Sequence, residues 1–406
     1  MPIQDAYIVL TSAFTVINCK RFCLLIALLI VSLLSSTAMA QIRVGVMTMQ
    51  PGEIFWERFG HNAIVIDDGT KITSYNFGFF DLNEADFAGN FLKGRMNYIL
   101  ASLPMEQDLA YYRHVGRGVS IQWLNLTPAQ TLHIQKRLSI HALPENARYR
   151  YEYFTNNCAT KVRDILNETL RGQLKTQMTA SSLGNTYRTE SERLAWPAKW
   201  MFLGFDLGMN SDGDKPLNRW QDAFVPMRLA QSLAETKLAN GQPLITDVQV
   251  VLPNKVQSPP DEMPDWSLPA ALAGLVLAGL FFAARNKHKL FHLMCIGFWF
   301  ISGLIGTALV AVWFGTEHTF VHHNENILLF SPTALITIIL FLLRNKSSAL
   351  QQAFHWSVKV LAAMATIAVL VKLFPFSEQN NGHWLLIILP VQWIVIKQIN
   401  RLHFNK

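Results

Sequence analysis

The segment "YFTNNCATKVRDIL", residues 153–166, contains a cysteine whose position favours nucleophilic chemistry. Asn156 and Asn157 are residue types that cap the starts of helices. The following residues recur with the spacing of one helical face: Val162, Ile165, Leu166 and Thr169. Cys158 is therefore predicted to lie in the first turn of a helix, where free backbone N–H groups and the helix dipole favour a thiolate. The alternative is a buried, inert cysteine.

A thiol nucleophile needs a base, and the chain before Cys158 offers four histidines: His61, His114, His133 and His141. The last two lie on a predicted surface helix, "TPAQTLHIQKRLSIHALP", and His114 is interpreted as structural. His61 follows a glycine and lies at the head of a strand predicted over 63–66, so it can face a neighbouring helix start. Four amide side chains are candidates for orienting the base or supporting the site, and each is equally a cap or turn residue: Asn62, Asn76, Asn156 and Asn157.

The compartment decides whether Cys158 has a disulfide partner. Lys20 and Arg21 precede a short apolar run, and "SSTAMA" follows, which predicts a signal peptide at residues 1–40, with an uncleaved anchor as the alternative. Cleavage would remove Cys19 and Cys23, and Cys295 lies in a later apolar run. Cys158 is then the only thiol of the exported part, so no internal disulfide is expected there.

Half of the residues are apolar, and the long apolar runs follow residue 266. Five membrane spans are predicted: 266–284, 291–314, 327–343, 358–374 and 384–399. Basic segments at 285–289, 344–346 and 397–406 alternate with the other connections, which predicts a cytoplasmic side for all three. The net charge of +7 is mostly this topology signal, and no nucleic-acid partner is expected.

These observations predict an inner-membrane, multi-pass protein of the α+β class. An extracytoplasmic domain at 41–250 carries an antiparallel sheet and a helix that presents the cysteine as papain-like thiol enzymes do. A linker at 251–265 precedes an all-α bundle of five helices at 266–399 and a cytoplasmic tail at 400–406.

A polar cluster precedes the third predicted span in "HTFVHHNENILLFSP": His322, His323, Asn324 and Asn326. Adjacent histidines suggest a metal, but no carboxylate or cysteine of the usual ligand spacing accompanies them, so neither a metal nor a cofactor is predicted. The cluster is expected to cap the span, to contact the catalytic domain or to meet a lipid headgroup.

Five segments in order resemble the Lnb family of membrane-bound lipoprotein acyltransferases: "WERFGHNAIVID", "SYNFGFFD", "RGVSIQWLNLTPAQ", "YEYFTNNCATKVRDIL" and "HHNENILLFSPTAL". The resemblance implies a papain-like (NlpC/P60/LRAT-like) domain and a thiol acyltransferase that acts on membrane lipoproteins in the phospholipid bilayer. It would move an acyl chain from the diacylglyceryl group to the N-terminal cysteine amine and leave a lyso-form lipoprotein. Cys158 would match the family nucleophile and His61 its base, whereas Asn156 stands where the family commonly has an aspartate.

Two other classes of function fit the same residues. A cysteine amidase or peptidase of the cell envelope would use the same cysteine and histidine but has no need for five spans. A non-enzymatic membrane scaffold would keep Cys158 as a buried apolar residue. Reaction of Cys158 with a thiolate-selective reagent at neutral pH separates the scaffold from both enzymes.

Overall fold

The computed structural model describes residues 42–80, 84–374 and 378–404. The predicted signal peptide at 1–40 lies outside the described residues, as does the end of the predicted tail. The described part consists of an α+β domain followed by a helical membrane bundle, as the sequence predicts.

The α+β domain is built on one seven-stranded sheet, in which every neighbouring pair of strands is antiparallel and the order is β6-β4-β3-β2-β1-β5-β7. The strands are β1 Arg43–Met49, β2 His61–Asp67, β3 Ile72–Phe80, β4 Asn97–Pro104, β5 Val119–Leu124, β6 Arg148–Arg150 and β7 Ile245–Leu252. The strand predicted over 63–66 is therefore present as β2 and begins at His61 itself. Strand β7 runs slightly past the predicted domain boundary at 250.

Nine helices of this domain lie in the described residues: α1 Phe87–Leu92, α2 Met105–Val115, α3 Pro128–His141, α4 Cys158–Thr169, α5 Gln173–Thr179, α6 Tyr187–Ala195, α7 Lys199–Gly208, α8 Arg219–Asp222 and α9 Pro226–Glu235. Helix α3 begins after Thr127, whose side chain forms a capping box with Gln130, as "TPAQ" predicts. Helix α4 begins after Asn157, which forms a capping box with Thr160.

The sheet lies between two layers, and alternation along β2 separates them. Ile64 and Ile66 point to one face, where they share a core with Val162 and Leu166 of α4. Ala63 and Val65 point to the other face and pack against Leu109 of α2, in a second core. Side chains from α4 and α2 can therefore meet only at an end of the sheet.

The strand that precedes the Cys158 helix is only three residues long. Strand β6 ends at Arg150, and the Glu152 carboxylate then accepts hydrogen bonds from the backbone N–H groups of Phe154 and Thr155. These bonds turn the chain toward α4 instead of extending the ladder.

Five helical stretches of the described residues are long and apolar enough to span a membrane. The bundle helices are α10 Ser267–Ala284, α11 His288–Gly315, α12 Thr333–Leu343, α13 Ser348–Leu370 and α14 Gly382–Phe404. The α-helices differ from the predicted spans most at the starts of the third and fourth. The third helix begins only after Pro332, because short 3₁₀ turns precede it, and the fourth begins at Ser348, because Ser347 caps it through the N–H of Leu350.

Candidate active site

Cys158 and His61 meet at the end of the sheet where β2 begins. Each is the first residue of its element, and the His61 imidazole forms a hydrogen bond with the Cys158 thiol. Gly60 directs the chain into β2 with a φ of +74°, and a Cβ there would lie 2.9 Å from the carbonyl oxygen of Met49. Glycine is therefore required immediately before the histidine.

The surroundings of the pair favour its charged form. Burial alone would raise the pKa of Cys158, but the charge and hydrogen bond of His61, together with the backbone N–H groups of Asn62 and Ala159, bring that pKa below its usual value. Burial alone would lower the pKa of His61, but Cys158 and the carboxylate of Asp108 raise it above its usual value. Both shifts favour the charged form of each group, a thiolate on Cys158 and an imidazolium on His61.

A buried hydrogen-bond chain orients the imidazole. His61 Nε2 lies 3.2 Å from Asn76 Oδ1, and Asn76 Nδ2 donates to Asp108 Oδ2 over 2.9 Å. Ser74 Oγ donates to the same carboxylate oxygen over 2.7 Å. Asp108 thus accepts hydrogen bonds from both Asn76 and Ser74. Because the amide nitrogen of Asn76 faces Asp108, its amide oxygen faces the imidazole.

Asp108 and Ser74 are missing from the sequence prediction. Asp108 lies on α2, and its side chain meets Asn76 and Ser74 across 32 and 34 positions of the chain. No local motif links these residues. The available signal was the alternation of β3, which places Ser74 and Asn76 on one face together.

The side chains of the other three candidate amides form hydrogen bonds with groups other than the imidazole. The Asn62 side chain points to the opposite face of β2 from His61 and donates to Thr48 Oγ1 over 2.9 Å. The backbone N–H of Asn62 forms a hydrogen bond with Cys158. Asn157 caps α4 and also donates to the carbonyl oxygens of Tyr153 and Phe224. Asn156 donates to the carbonyl oxygen of Arg150. Of the four predicted amides, Asn76 alone contacts the imidazole among the described residues.

A hollow opens beside the pair at Gly78, where the register of β3 shifts. A Cβ on this residue, whose φ is +104°, would lie 3.8 Å from Cys158 Cβ, 3.8 Å from His61 Cε1 and 3.9 Å from the Tyr149 hydroxyl. The Tyr149 hydroxyl is buried and has no hydrogen-bond partner among the described residues. Burial, and then the charge of Cys158, raise the pKa of Tyr149 well above its usual value, so this hydroxyl remains a donor.

The pair opens into a cavity of about 730 Å³. Its walls are largely aromatic and apolar: Phe55, Trp56, Phe59, Phe80, Phe91, Trp200, Phe205, Phe224 and Phe320. The connection between α11 and α12 supplies residues 318–321 of this wall, although it belongs to the membrane bundle. The volume and apolar lining suit a hydrocarbon chain.

The polar cluster before the third span contacts the catalytic domain, one of the three roles expected for it. Asn324 donates to the carbonyl oxygens of Leu207 and Gly208 at the end of α7, and Asn326 donates to that of Leu207. His322 bonds the carbonyl oxygen of Thr316, and His323 packs against the ring of Trp313.

The remaining histidines lie away from the pair. His133 is half-exposed on α3 and lies 3.5 Å from Glu168, and His114 and His141 are at the surface or partly so. Their interpretation as solvated or structural residues fits these positions.

Two family models match the chain. Residues 32–193 match the Lnb N-terminal periplasmic domain, and residues 266–402 match the Lnb transmembrane domain. The chain belongs to the Lnb family. The first match spans Cys158, His61, Asn76 and Asp108, and the predicted resemblance is confirmed. No curated protein and no solved structure matches this Lnb chain, and its papain-like character stays a prediction.

Membership of the Lnb family indicates, in general terms, a lipoprotein N-acyltransferase role. The periplasmic domain and the five apolar helices make this chain a multi-pass membrane protein.

Proposed function

We propose that this Lnb chain is a cysteine-dependent acyltransferase that moves an acyl chain from the diacylglyceryl group of a lipoprotein to the amine of its N-terminal cysteine. The observation that carries the proposal is the Cys158–His61–Asn76–Asp108 chain at the wall of an aromatic cavity. A thiolate activated by an oriented imidazole performs acyl transfer, and the cavity selects a hydrocarbon acyl group.

In the first half-reaction, the Cys158 thiolate attacks the ester carbonyl and a bond forms between Sγ and the carbonyl carbon. The oxyanion accepts hydrogen bonds from the Tyr149 hydroxyl and from the Cys158 N–H, which lies in the first turn of α4 and has no acceptor within the helix. The ester C–O bond then breaks, and the imidazolium of His61 gives its proton to the leaving glyceryl oxygen. The products are an acyl-thioester and a free hydroxyl.

In the second half-reaction, the α-amine of the lipoprotein attacks the thioester. Neutral His61 accepts a proton from the attacking nitrogen, the C–N bond forms, and the C–S bond breaks to return the thiolate. Asn76 and Asp108 stabilise the imidazolium at this stage, because the amide oxygen and the nearby carboxylate both face positive charge. The acyl chain has moved from oxygen to nitrogen, and the lipoprotein becomes a lyso-form.

The test uses the full chain in vesicles with a diacylated lipoprotein whose glyceryl-linked chains carry an isotope label. Wild-type protein should give an N-acylated peptide of unchanged total mass, and its Cys158 peptide should carry a labelled acyl group that neutral hydroxylamine removes. Cys158→Ser and His61→Ala should lose N-acylation, and His114→Ala, an exposed histidine of the same domain, should keep it.

Two results would contradict the proposal. N-acylation by Cys158→Ser excludes covalent thiol catalysis. A product that is heavier by one unlabelled acyl group identifies a phospholipid as the donor and excludes transfer within the lipoprotein.

A further inference from the structure

Helix α7 lies along the end of the membrane bundle that faces the catalytic domain. Near its start, the Phe202 ring packs 5.6 Å from the ring of Trp266, the residue just before the first span. At its end, the carbonyl oxygens of Leu207 and Gly208 accept hydrogen bonds from Asn324, ahead of the third span. Both ends of α7 therefore contact residues at the ends of membrane spans on the side of the bundle that adjoins the α+β domain.

One side of α7 is exposed although it is apolar. Met201 and Phe202 are buried against the bundle side, whereas Trp200 and Leu203 are 67 % and 39 % exposed at helical spacing. The neighbouring 3₁₀ turn Phe55–Glu57 adds Ile54 and Trp56, which are 44 % and 62 % exposed. These four residues, Ile54, Trp56, Trp200 and Leu203, are called the apolar rim.

The apolar rim borders the opening of the catalytic cavity. Trp56 and Trp200 line the cavity that contains Cys158, yet each exposes more than half of its surface. Phe55, which also lines the cavity, stacks on Trp200 with ring centroids 6.0 Å apart and joins the two halves of the rim. Two exposed tryptophans therefore border the cavity, and one of them, Trp200, lies on the helix that contacts the residues flanking the membrane spans.

We propose that the apolar rim inserts into the adjacent membrane leaflet and admits acyl chains from the bilayer directly into the cavity. Tryptophan side chains favour the boundary between headgroups and hydrocarbon, and an amphipathic helix held at that depth buries its apolar side there. The partner is a lipid surface, and no substrate chain has to cross water on its way to Cys158. The entry role rests on the proposed acyltransferase function, whereas the insertion of the rim does not.

The first experiment locates the rim without using activity. The four native cysteines are replaced by serine, and a single cysteine at position 203 or 132 carries an environment-sensitive fluorophore in protein reconstituted into phosphatidylcholine–phosphatidylglycerol vesicles. Lipids with a nitroxide on the acyl chain should quench the probe at 203 at least twofold more than the probe at 132, which replaces the more exposed Leu132 of α3. Equal quenching at both positions would overturn the proposal.

The second experiment tests entry, with Ile54→Glu and Leu203→Glu as rim variants. Neither residue lines the cavity, and Leu132→Glu and Ile140→Glu on α3 are the matched controls. Acylation of Cys158 by a long-chain donor in vesicles should fall at least fivefold in the rim variants only, and acylation by a water-soluble butanoyl ester should stay within twofold.

The outcomes separate the two proposals. Unchanged acylation by the vesicle donor, or an equal loss with both donors, would overturn the entry role. If the wild-type protein accepts neither donor while the probe at 203 is quenched, the acyltransferase proposal fails and the membrane contact of the rim stands.

Discussion

At the scale of single residues, the reactivity of Cys158 requires that several favourable interactions outweigh the unfavourable effect of burial on its thiolate. Burial opposes both the thiolate and the imidazolium, since each loses hydration. Their mutual attraction, two backbone N–H groups and the carboxylate of Asp108 reverse the balance. Removal of one partner therefore leaves the other in an environment that disfavours its charge.

The pH dependence of Cys158 alkylation tests this balance. A thiol with a pKa of about 8.5 is only a few per cent ionised at pH 7, whereas the lowered pKa of Cys158 keeps it reactive there. In His61→Ala, only the two backbone N–H groups oppose the effect of burial on the thiol pKa, so iodoacetamide labelling at pH 7 should slow at least about tenfold. In Asp108→Asn, the profile should move in the same direction by less.

Mass spectrometry of the Cys158 peptide measures the labelling, because Cys295 is buried in α11 and is a separate peptide. A wild-type rate at pH 7 that equals the rate in His61→Ala would contradict the ion pair.

Tyr149→Phe separates stabilisation of the oxyanion from activation of the thiol. Loss of one oxyanion donor typically lowers acyl transfer by about 10²-fold, and we expect that loss in formation of the acyl-thioester. Alkylation by iodoacetamide forms no oxyanion and should keep its rate and pH profile. If both reactions slow together, Tyr149 acts on the thiolate or on the fold instead.

At the scale of elements, helix α6 carries two buried carboxylates in opposite environments. Burial would raise the pKa of Glu190, but hydrogen bonds from Arg193 and Arg228 lower it below its usual value. Burial and then the nearby Asp206 carboxylate raise the pKa of Glu192 to about 8, although Arg188 opposes this. Glu192 is therefore protonated in the folded protein near neutral pH, and Glu190 is ionised.

The two carboxylates predict opposite effects of substitution. The folded pKa of Glu192 exceeds its unfolded value of 4.5, so its contribution to stability is complete below pH 4.5 and is lost as the pH rises toward 8, on the order of a few kcal/mol. Glu192→Gln should therefore raise Tm more at pH 8 than at pH 5. Glu190→Gln should lower Tm at both, because the buried Arg193 loses its carboxylate partner and the partly buried Arg228 keeps only Asp222 at 4.0 Å.

Thermal unfolding of the full chain in detergent at both pH values measures these differences. Glu190→Gln, two positions away on the same helix, is the matched control. A Glu192→Gln variant that loses as much stability as Glu190→Gln at pH 8 would show that Glu192 is ionised.

At the scale of the whole molecule, contacts bring three connections of the bundle to the catalytic domain. Glu317, after the second span, pairs with Arg95 and Arg150, and the N–H of Asn380, before the fifth span, bonds Asp214. Trp266, before the first span, packs on Phe202. These three connections therefore lie on the same side of the membrane as the catalytic domain.

This arrangement predicts the result of topology mapping. The basic connections at 285–289 and 344–346 must lie on the opposite side, and their charge predicts that this side is cytoplasmic. Reporter fusions after Arg285 and Lys346 should read cytoplasmic, and a fusion after Asn380 should read external. An external reading at Lys346 would contradict the five-span arrangement.

A substitution at Asn324 tests how much the contact between the α+β domain and the bundle stabilises α7. The Asn324 side chain donates to the carbonyl oxygens of Leu207 and Gly208. Asn324→Ala should cost about 1–3 kcal/mol of local stability, because the Gly208 oxygen loses this donor and the Leu207 oxygen keeps only Asn326. Hydrogen exchange of the α7 amides should speed up at least about fivefold, and acyl transfer should fall with it. Asn240→Ala, in an exposed turn, is the control. Unchanged exchange in α7 would show that the docking does not depend on Asn324.

The sequence by itself determined the features that depend on neighbouring residues. Capping by Asn157 and the apolar spacing after it set the helix that begins at Cys158, and the apolar runs after residue 266 set the bundle. The position of His61 after a glycine and at the head of a strand was predictable, although the structure begins that strand at His61 itself. These signals are local, because a capping residue acts on the first turn of its helix and apolar periodicity is a property of a single helix or strand.

The tertiary structure alone decided which residues complete the site. The pleat of β2 turns Asn62 away from the imidazole, and the pairing of Ala63 with Asn76 brings the other amide to it. Asp108 lies on α2, in the helical layer on the other side of the sheet from α4, and residues 318–321 of the bundle form part of the cavity wall. The physical reason is that hydrogen bonds and apolar contacts act over a few ångströms of space, and only the packing of the sheet, its two helical layers and the bundle creates those distances.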